Sequence, residues 1–305
     1  MSGDRRALVT GVTGFIGRHL VRHLHAAGWQ VHALVRGTMG LPQELSGTHV
    51  YSGETEEVLQ AVKESRPDVT FHLASLFLAS HGPHQLQDLV SANVLLGTQL
   101  LEALAEQPGA KFVNTGTSWQ YFHSDTYRPT NLYAATKQAF QDILAYFVDA
   151  RQLNAVTLSL FDSYGAGDTR KKLVSLLLDA AESGAALGMS GGKQIIDLVH
   201  VDDMCRGFLR AADLLCEAKQ PASTVYALCG ERRRTLQEIA AVVAKVSGRE
   251  LHIEWGARPY REREVMQLWD GPKLPGWSAQ ITLEEGITEL LQERRTSAAG
   301  LETAS

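Results

Sequence analysis

"RALVTGVTGFIGRHLVRHLHAAG" (residues 6–28) changes its period halfway along. "RALVTG" (6–11) is a short apolar run that ends on a glycine, which is the pattern of a buried strand. From Gly14 onward Phe15, Ile16, Leu20 and Leu24 recur at helical spacing, and the run stops at Gly28. Between the two periods Gly11, Gly14 and Gly17 follow one another at intervals of three. Glycine lets the backbone turn sharply and approach a phosphate closely, and a helix start offers unpaired N–H groups to that phosphate. Strand, glycine turn and helix in this order form the context of a dinucleotide site at the C-terminal edge of a parallel sheet.

Outward from this unit the alternation continues. Strand patterns at 30–36, 49–53, 68–74, 110–117 and 154–160 are separated by helix patterns at 55–66, about 86–106 and 131–151. Apolar strands alternating with amphipathic helices predict a parallel sheet covered on both faces. The second half is less regular, with helices at 171–184, 202–218, 235–248 and 278–295 and strands at 194–201, 223–230 and 250–255. Thr235 with Glu238 three residues on forms a capping-box pattern. The tail "TSAAGLETAS" (296–305) is small and polar and is expected to fray. The fold class is α/β: a Rossmann-type doubly wound parallel sheet with a smaller mixed α/β C-terminal lobe. Residues 1–165 form the expected dinucleotide-binding domain, with 195–230 returning to it, and 166–194 and 231–305 form the substrate lobe.

The bulk numbers narrow the function. The 305 residues are 44% hydrophobic and 21% charged, an ordinary globular composition. A net charge of −5 leaves no basic footprint for nucleic acid. Cys205, Cys216 and Cys229 match no zinc spacing and read as thiols in a reducing compartment. No metal site is expected. No apolar run has the length of a membrane span or secretion signal, so a cytoplasmic protein with no membrane partner is expected.

Two further features carry chemistry. The second strand ends "ALVRG", so Val35 and Arg36 stand where an acid would hold the ribose hydroxyls of NAD. An arginine there pairs with a 2′-phosphate, which favours NADP(H) over NAD(H). "TNLYAATKQAF" (130–140) places Tyr133 and Lys137 four apart on one helix face. A free phenol titrates near about 10, and a neighbouring ammonium lowers that value toward working pH, where proton transfer is efficient.

The glycine turn, "FHLAS" (71–75), "VNTGTS" (113–118) and Tyr-x-x-x-Lys, in that order, resemble the short-chain dehydrogenase/reductase superfamily. "SLFDSYGAGD" (159–168) and "DLVHVDDM" (197–204) resemble its extended branch of nucleotide-sugar epimerases, dehydratases and reductases, over about residues 6–295. The resemblance implies that Tyr133 exchanges a proton with a carbonyl oxygen. Lys137 would tune Tyr133 and hold the nicotinamide ribose, and Thr117 would hydrogen-bond the substrate oxygen. It implies cofactor contacts from Gly11, Gly14, Phe15, Ile16, Gly17, Ala74 and Glu54. Asn93 would tie its helix to the active-site strands. Arg261, in "PYREREVM" (259–266), with Arg170, Lys171 and Ser118, would hold a nucleotide-diphosphate sugar.

Departures from the family pattern select among its reactions. Dehydratases carry two acids after the strand-end threonine, whereas here the sequence is Thr117-Ser118-Trp119. A site favouring NADP(H) points to an enzyme that consumes reducing power. The expectation is a 4-ketoreductase of nucleotide-linked 4-keto-6-deoxyhexoses, such as those of CDP-dideoxysugar synthesis. An NAD-dependent nucleotide-sugar epimerase, a dihydroflavonol-type carbonyl reductase and a non-catalytic dinucleotide sensor stand as rivals. A homodimer through helices 86–106 and 131–151 is implied by the same resemblance.

Overall fold

The structure, a computed structural model, describes residues 5–302. It divides into two units, residues 1–160, 205–228 and 269–277, and residues 161–204, 229–268 and 278–305. Residues 195–204 thus belong to the second unit and 269–277 to the first, so the chain crosses more often than the sequence pattern suggests.

Seven strands of the first unit form one sheet: β1 Arg6–Thr10, β2 Gln30–Val35, β3 Gly47–Val50, β4 Val69–His72, β5 Lys111–Thr117, β6 Asn154–Leu160 and β7 Ser223–Leu228. Their order is β7-β6-β5-β4-β1-β2-β3, and every neighbouring pair is parallel. Successive residues Ala7, Leu8 and Val9 are all fully buried, so both faces of the sheet are covered. On one face Leu8, Leu34 and Phe112 pack with Val58 and Val62 of α2 (Thr55–Ser65) and with Phe140 and Leu144 further along the chain. The winding reverses beside β1, and an open α/β sheet takes its ligand at that reversal, outside the strand ends. Thr10 pairs in register with His72, and His72 with Asn114, so the ends of β1, β4 and β5 lie side by side.

Three helical segments frame this edge. The first, α1, is Phe15–Ala26. The expected helix at 86–106 is a run in three parts, α-helical at Leu86–Val90, π-helical at Ser91–Leu95 and α-helical again at Leu96–Leu104. The π turn contains Asn93, and such turns often mark functional positions. The third, Leu132–Arg151, is one 20-residue helix. Gly97 sits under the Phe140 ring, where any Cβ would collide with it, so these two helices approach closely.

In the second unit the helices Leu173–Ser183, Leu236–Ser247 and Leu283–Glu302 bury Leu177, Leu178, Ile239, Val243 and Ile287 together. The Thr235–Glu238 capping box forms, with Glu238 N–H on Thr235 Oγ1 at 3.1 Å and Thr235 N–H on Glu238 Oε2 at 2.7 Å. The strand expected over 194–201 is broken at Asp197. Ile195–Ile196 pairs antiparallel with Arg234–Thr235, while Leu198–His200 pairs parallel with Asp162–Tyr164. The cause is the buried Asp197 carboxylate, which accepts from Gly230 N–H and Arg233 Nε. The tail expected to fray from 296 is helical to Glu302, and 303–305 lie outside the described residues.

Two glycines separate fold from site. A Cβ on Gly17 would overlap the Gly11 carbonyl and the Val12 Cα, both main-chain atoms of the turn. Gly28 ends α1 at φ +80 with nothing within 4 Å. Gly17→Ala is expected to cost roughly 3 kcal/mol through overpacking, and Gly28→Ala about 1 kcal/mol through its left-handed backbone alone. Denaturant unfolding of the two variants checks this, and equal costs would contradict the crowding at Gly17.

Candidate functional site

At the end of β1 a single hydroxyl organises the turn. Thr10 Oγ1 accepts the N–H groups of Leu73 and Ala74, at 3.1 and 3.0 Å, and lies 2.9 Å from His72 Nδ1. With both lone pairs used, its proton goes to Nδ1, which leaves the His72 proton on Nε2. Burial, with the charge of Lys137 second, drops His72 to about 3, so the ring stays neutral. The loop after β4 is thereby held against the glycine turn. A Cβ on Gly11, at φ +75, would stand 2.7 Å from the Ala74 nitrogen. Gly14 N–H closes the turn on Gly11 O at 3.0 Å.

Asn93 holds the next residues of that loop. Its Oδ1 accepts Leu76 N–H at 2.7 Å and the Ser75 hydroxyl at 3.0 Å. Its Nδ2 donates to Leu76 O and to Thr136 Oγ1, each at 3.0 Å. Asn93 thus ties its π turn to the loop after β4 and to Thr136 of the helix Leu132–Arg151, where the sequence expectation was a tie to the strands.

Tyr133 and Lys137 lie in the first turns of Leu132–Arg151. Asn131 caps that helix through Ala134 N–H, at 3.0 Å, and its amide donates to Leu78 O and Ala79 O. Phe77 stands edge-on to the Tyr133 ring, with centroids 5.0 Å apart, and Trp119 lies 5.4 Å from Phe77. Thr117 ends β5 buried, its Oγ1 accepting Trp119 N–H at 3.3 Å. Buried Ser118 opens the short turn that follows.

Lys137 is 2% exposed, and its Nζ has no hydrogen-bond partner among the described residues. Burial lowers its ammonium to about 8. The Tyr133 phenol moves opposite to the sequence expectation. Burial pushes it up to about 12, with a hydrogen bond to Ser75 pulling the other way. Removal from water outweighs that hydrogen bond, because it disfavours the charged phenolate. An orphaned buried ammonium calls for oxygen acceptors. Together with the glycine turn at the start of α1, it makes the edge fit a dinucleotide: the helix start suits a pyrophosphate and Lys137 suits ribose hydroxyls.

The other expected residues scatter more. Phe15 and Ile16 begin α1, half-buried, beside buried Gly17. Arg36 is exposed just past β2, close enough for its charge to oppose the burial that raises the Tyr51 phenol. Glu54 is the exposed N-cap residue of α2, and its side chain makes no capping bond. In the second unit Arg170 is engaged by Asp168, at 2.7 and 2.8 Å, and by Ser163 Oγ at 3.0 Å. Lys171 and Arg261 are exposed. Crowding raises the Asp162 carboxyl, while Lys172, Arg170 and Arg261 pull it down. A cavity of about 230 Å³ opens beside it, lined by Asp162, Asp168, Lys172, Leu178 and Arg294 among others. Sequence reasoning missed Thr10, His72, Ser75 and Phe77. The hydroxyl just before the glycine turn was the available signal for Thr10.

Comparison with known proteins places the chain in a family. The model of the NAD dependent epimerase/dehydratase family matches residues 7–226. CDP-abequose synthase of Yersinia pseudotuberculosis is 26% identical over 263 residues, covering 86% of this chain and 90% of that protein. The dTDP-6-deoxy-L-talose 4-dehydrogenase (NAD(P)(+)) of Kitasatospora kifunensis is 26% identical over 317 residues, covering 96% of each. The solved structure of MoeE5 in complex with UDP-glucuronic acid and NAD superposes with a TM-score of 0.82 at 25% identity, covering 97% of this chain and 100% of that one.

The orphaned ammonium has a stability consequence. Its folded value of about 8 lies below the ordinary 10.5. The penalty is complete below pH 8 and fades toward 10.5, where the unfolded chain binds the proton that the folded chain has lost. Without added dinucleotide, Lys137→Met is expected to be more stable than wild type at neutral pH by roughly 3 kcal/mol, a gain that shrinks as pH rises. Denaturant titrations at neutral and alkaline pH check this. A variant no more stable than wild type at neutral pH would contradict it.

Proposed function

The chain belongs to the NAD dependent epimerase/dehydratase family, and we propose that it reduces the 4-keto group of a nucleotide-diphosphate-linked 6-deoxyhexose, using NADPH. The observation that carries this reading is the strand end at Thr117. A buried hydroxyl there is followed by Ser118 and Trp119, not by the carboxylates that elimination needs. The full-length likeness to CDP-abequose synthase and to a dTDP-sugar 4-dehydrogenase supports a nucleotide-sugar substrate.

Bound NADPH supplies the hydride. The glycine turn of Gly11, Gly14 and Gly17, with Phe15, Ile16 and the Ala74 backbone, holds the dinucleotide. Arg36 meets its 2′-phosphate, and Lys137 meets its ribose hydroxyls. Tyr133 gives its proton to the ketone oxygen as the carbonyl carbon is reduced. The raised phenol suits that direction, because the acid form stands ready at neutral pH. Thr117 donates its hydroxyl hydrogen to the same oxygen and carries part of the developing charge. Arg261 and Lys171 take the diphosphate. Arg170 supports that pair less directly, because Asp168 already binds its guanidinium. Leu86, Val90, Leu95 and Tyr146 are exposed on the two helices of the proposed homodimer interface.

One observation favours a second reading. MoeE5 was solved in complex with UDP-glucuronic acid and NAD, and an epimerase would keep its dinucleotide bound. NAD released on denaturing the purified protein would favour that reading.

Incubation with NADPH and a CDP- or dTDP-4-keto-6-deoxyhexose is expected to consume NADPH. Tyr133→Phe is expected to lower kcat by about 100-fold or more, with NADPH affinity retained. Arg36→Asp is expected to move preference toward NADH. Absence of NADPH consumption across that panel would contradict the assignment.

A further inference from the structure

We propose that Gln120 is a positioning residue for the ketone reduction. Its amide ties the main chain of Thr117 to the helix Leu132–Arg151, and so fixes how the Thr117 hydroxyl stands relative to Tyr133. This deepens the ketoreductase reading given above and rests on it.

The direction of each bond in this tie follows from groups that have only one possible role. A main-chain N–H can only donate, so the atom that Thr117 N–H meets at 3.0 Å is the amide oxygen, Gln120 Oε1. The other end of that amide, Nε2, then donates to Gln138 Oε1 at 2.7 Å and to Gln141 Oε1 at 3.2 Å. Asp142 orients Gln138 independently: a carboxylate accepts, and Gln138 Nε2 donates to its Oδ1 at 2.7 Å. Thr117, Gln120, Gln138 and Asp142 form one chain of bonds that all point the same way, so each polarises the next. Gln120 is 1% exposed, so this chain runs through the interior at the strand end. A Cβ on Gly116 would stand 3.1 Å from Gln120 Oε1, and the glycine thus leaves room for the amide beside the strand.

The tie joins the two segments that the reaction needs in register. Thr117 is the last residue of β5, and Gln138 directly follows Lys137 in the helix that begins with Leu132 and Tyr133. In the proposed reaction the ketone oxygen meets one hydroxyl from each segment, Thr117 from the strand and Tyr133 from the helix. A misplacement of about 1 Å between such groups costs roughly 100-fold in rate. Thr117 Oγ1 accepts Trp119 N–H at 3.3 Å, a long bond that leaves the hydroxyl proton for the ketone oxygen. Its placement therefore depends on the main chain beneath it, which Gln120 holds. Without the amide, the buried Thr117 would lose the acceptor of its N–H, and the strand end would shift to find another. Gln120 itself exchanges no proton and acts through Thr117.

Steady-state kinetics of Gln120→Met, alone and combined with Thr117→Val, test the proposal. Methionine keeps the length of the side chain and removes both ends of the amide. On the 4-keto substrate that wild type reduces, Gln120→Met is expected to lower kcat about tenfold, with KM and NADPH affinity unchanged. In a Thr117→Val background, where the hydroxyl is already gone, the same change is expected to cost less than about twofold. A residue that only supports folding would lose the same factor in both backgrounds. Should Gln120→Met fold poorly, Gln138→Leu removes the next link at a half-buried position. It is expected to show the same dependence on Thr117 with a smaller loss. Unchanged kcat in the folded variant, or equal losses with and without the Thr117 hydroxyl, would overturn the proposal, while NADPH consumption by wild type keeps the ketoreductase reading standing. Absence of that consumption would overturn both.

Discussion

A lysine ammonium buried without a partner is the constraint around which the first unit is built. Lys137 is buried close enough for its charge to act on His72 at the end of β4, and its Nζ meets no acceptor among the described residues. Buried charge in that condition is costly unless something completes it. The helix that carries it is nevertheless pinned at both levels. Asn131 caps its start and ties it to the 78–79 backbone, and Phe140 lodges against Gly97. In the function proposed above, ribose hydroxyls of the dinucleotide complete this cation.

Around that cation the polar groups are set in advance. Thr10 uses every hydrogen-bonding capacity of its hydroxyl, and Asn93 has four partners. His72 remains neutral next to Lys137, so no second positive charge competes with the first. Groups already fixed need little reorganisation when charge develops on a substrate oxygen, which is where electrostatic catalysis gains most. The exposed residues behave differently. Arg36, Lys171 and Arg261 are exposed, so their charge is hydrated and screened by solvent.

Much of the fold was legible because it is periodic. The change of period at Gly11–Gly14 marks the first strand, turn and helix, and the same alternation yields the seven-stranded sheet. Local tertiary partners were not legible. The strand at 194–201 breaks because Asp197 is captured by Gly230 and Arg233, residues more than thirty positions away. The π turn at Asn93 is likewise set by groups on two other segments. In the site, the spacing of Tyr133 and Lys137 identifies the pair but says nothing of burial, so the direction of the phenol shift came out reversed. Arg170 reads as an available cation in sequence and is bound by Asp168 two residues back.

The most direct measurement is the titration of the Lys137 side-chain ammonium by NMR, with and without NADPH. The account predicts a value near 8 in the free chain and a clear upward move when the dinucleotide supplies the missing acceptors. An ordinary lysine value of 10.5 in the free chain, or a value that NADPH leaves unmoved, would contradict it.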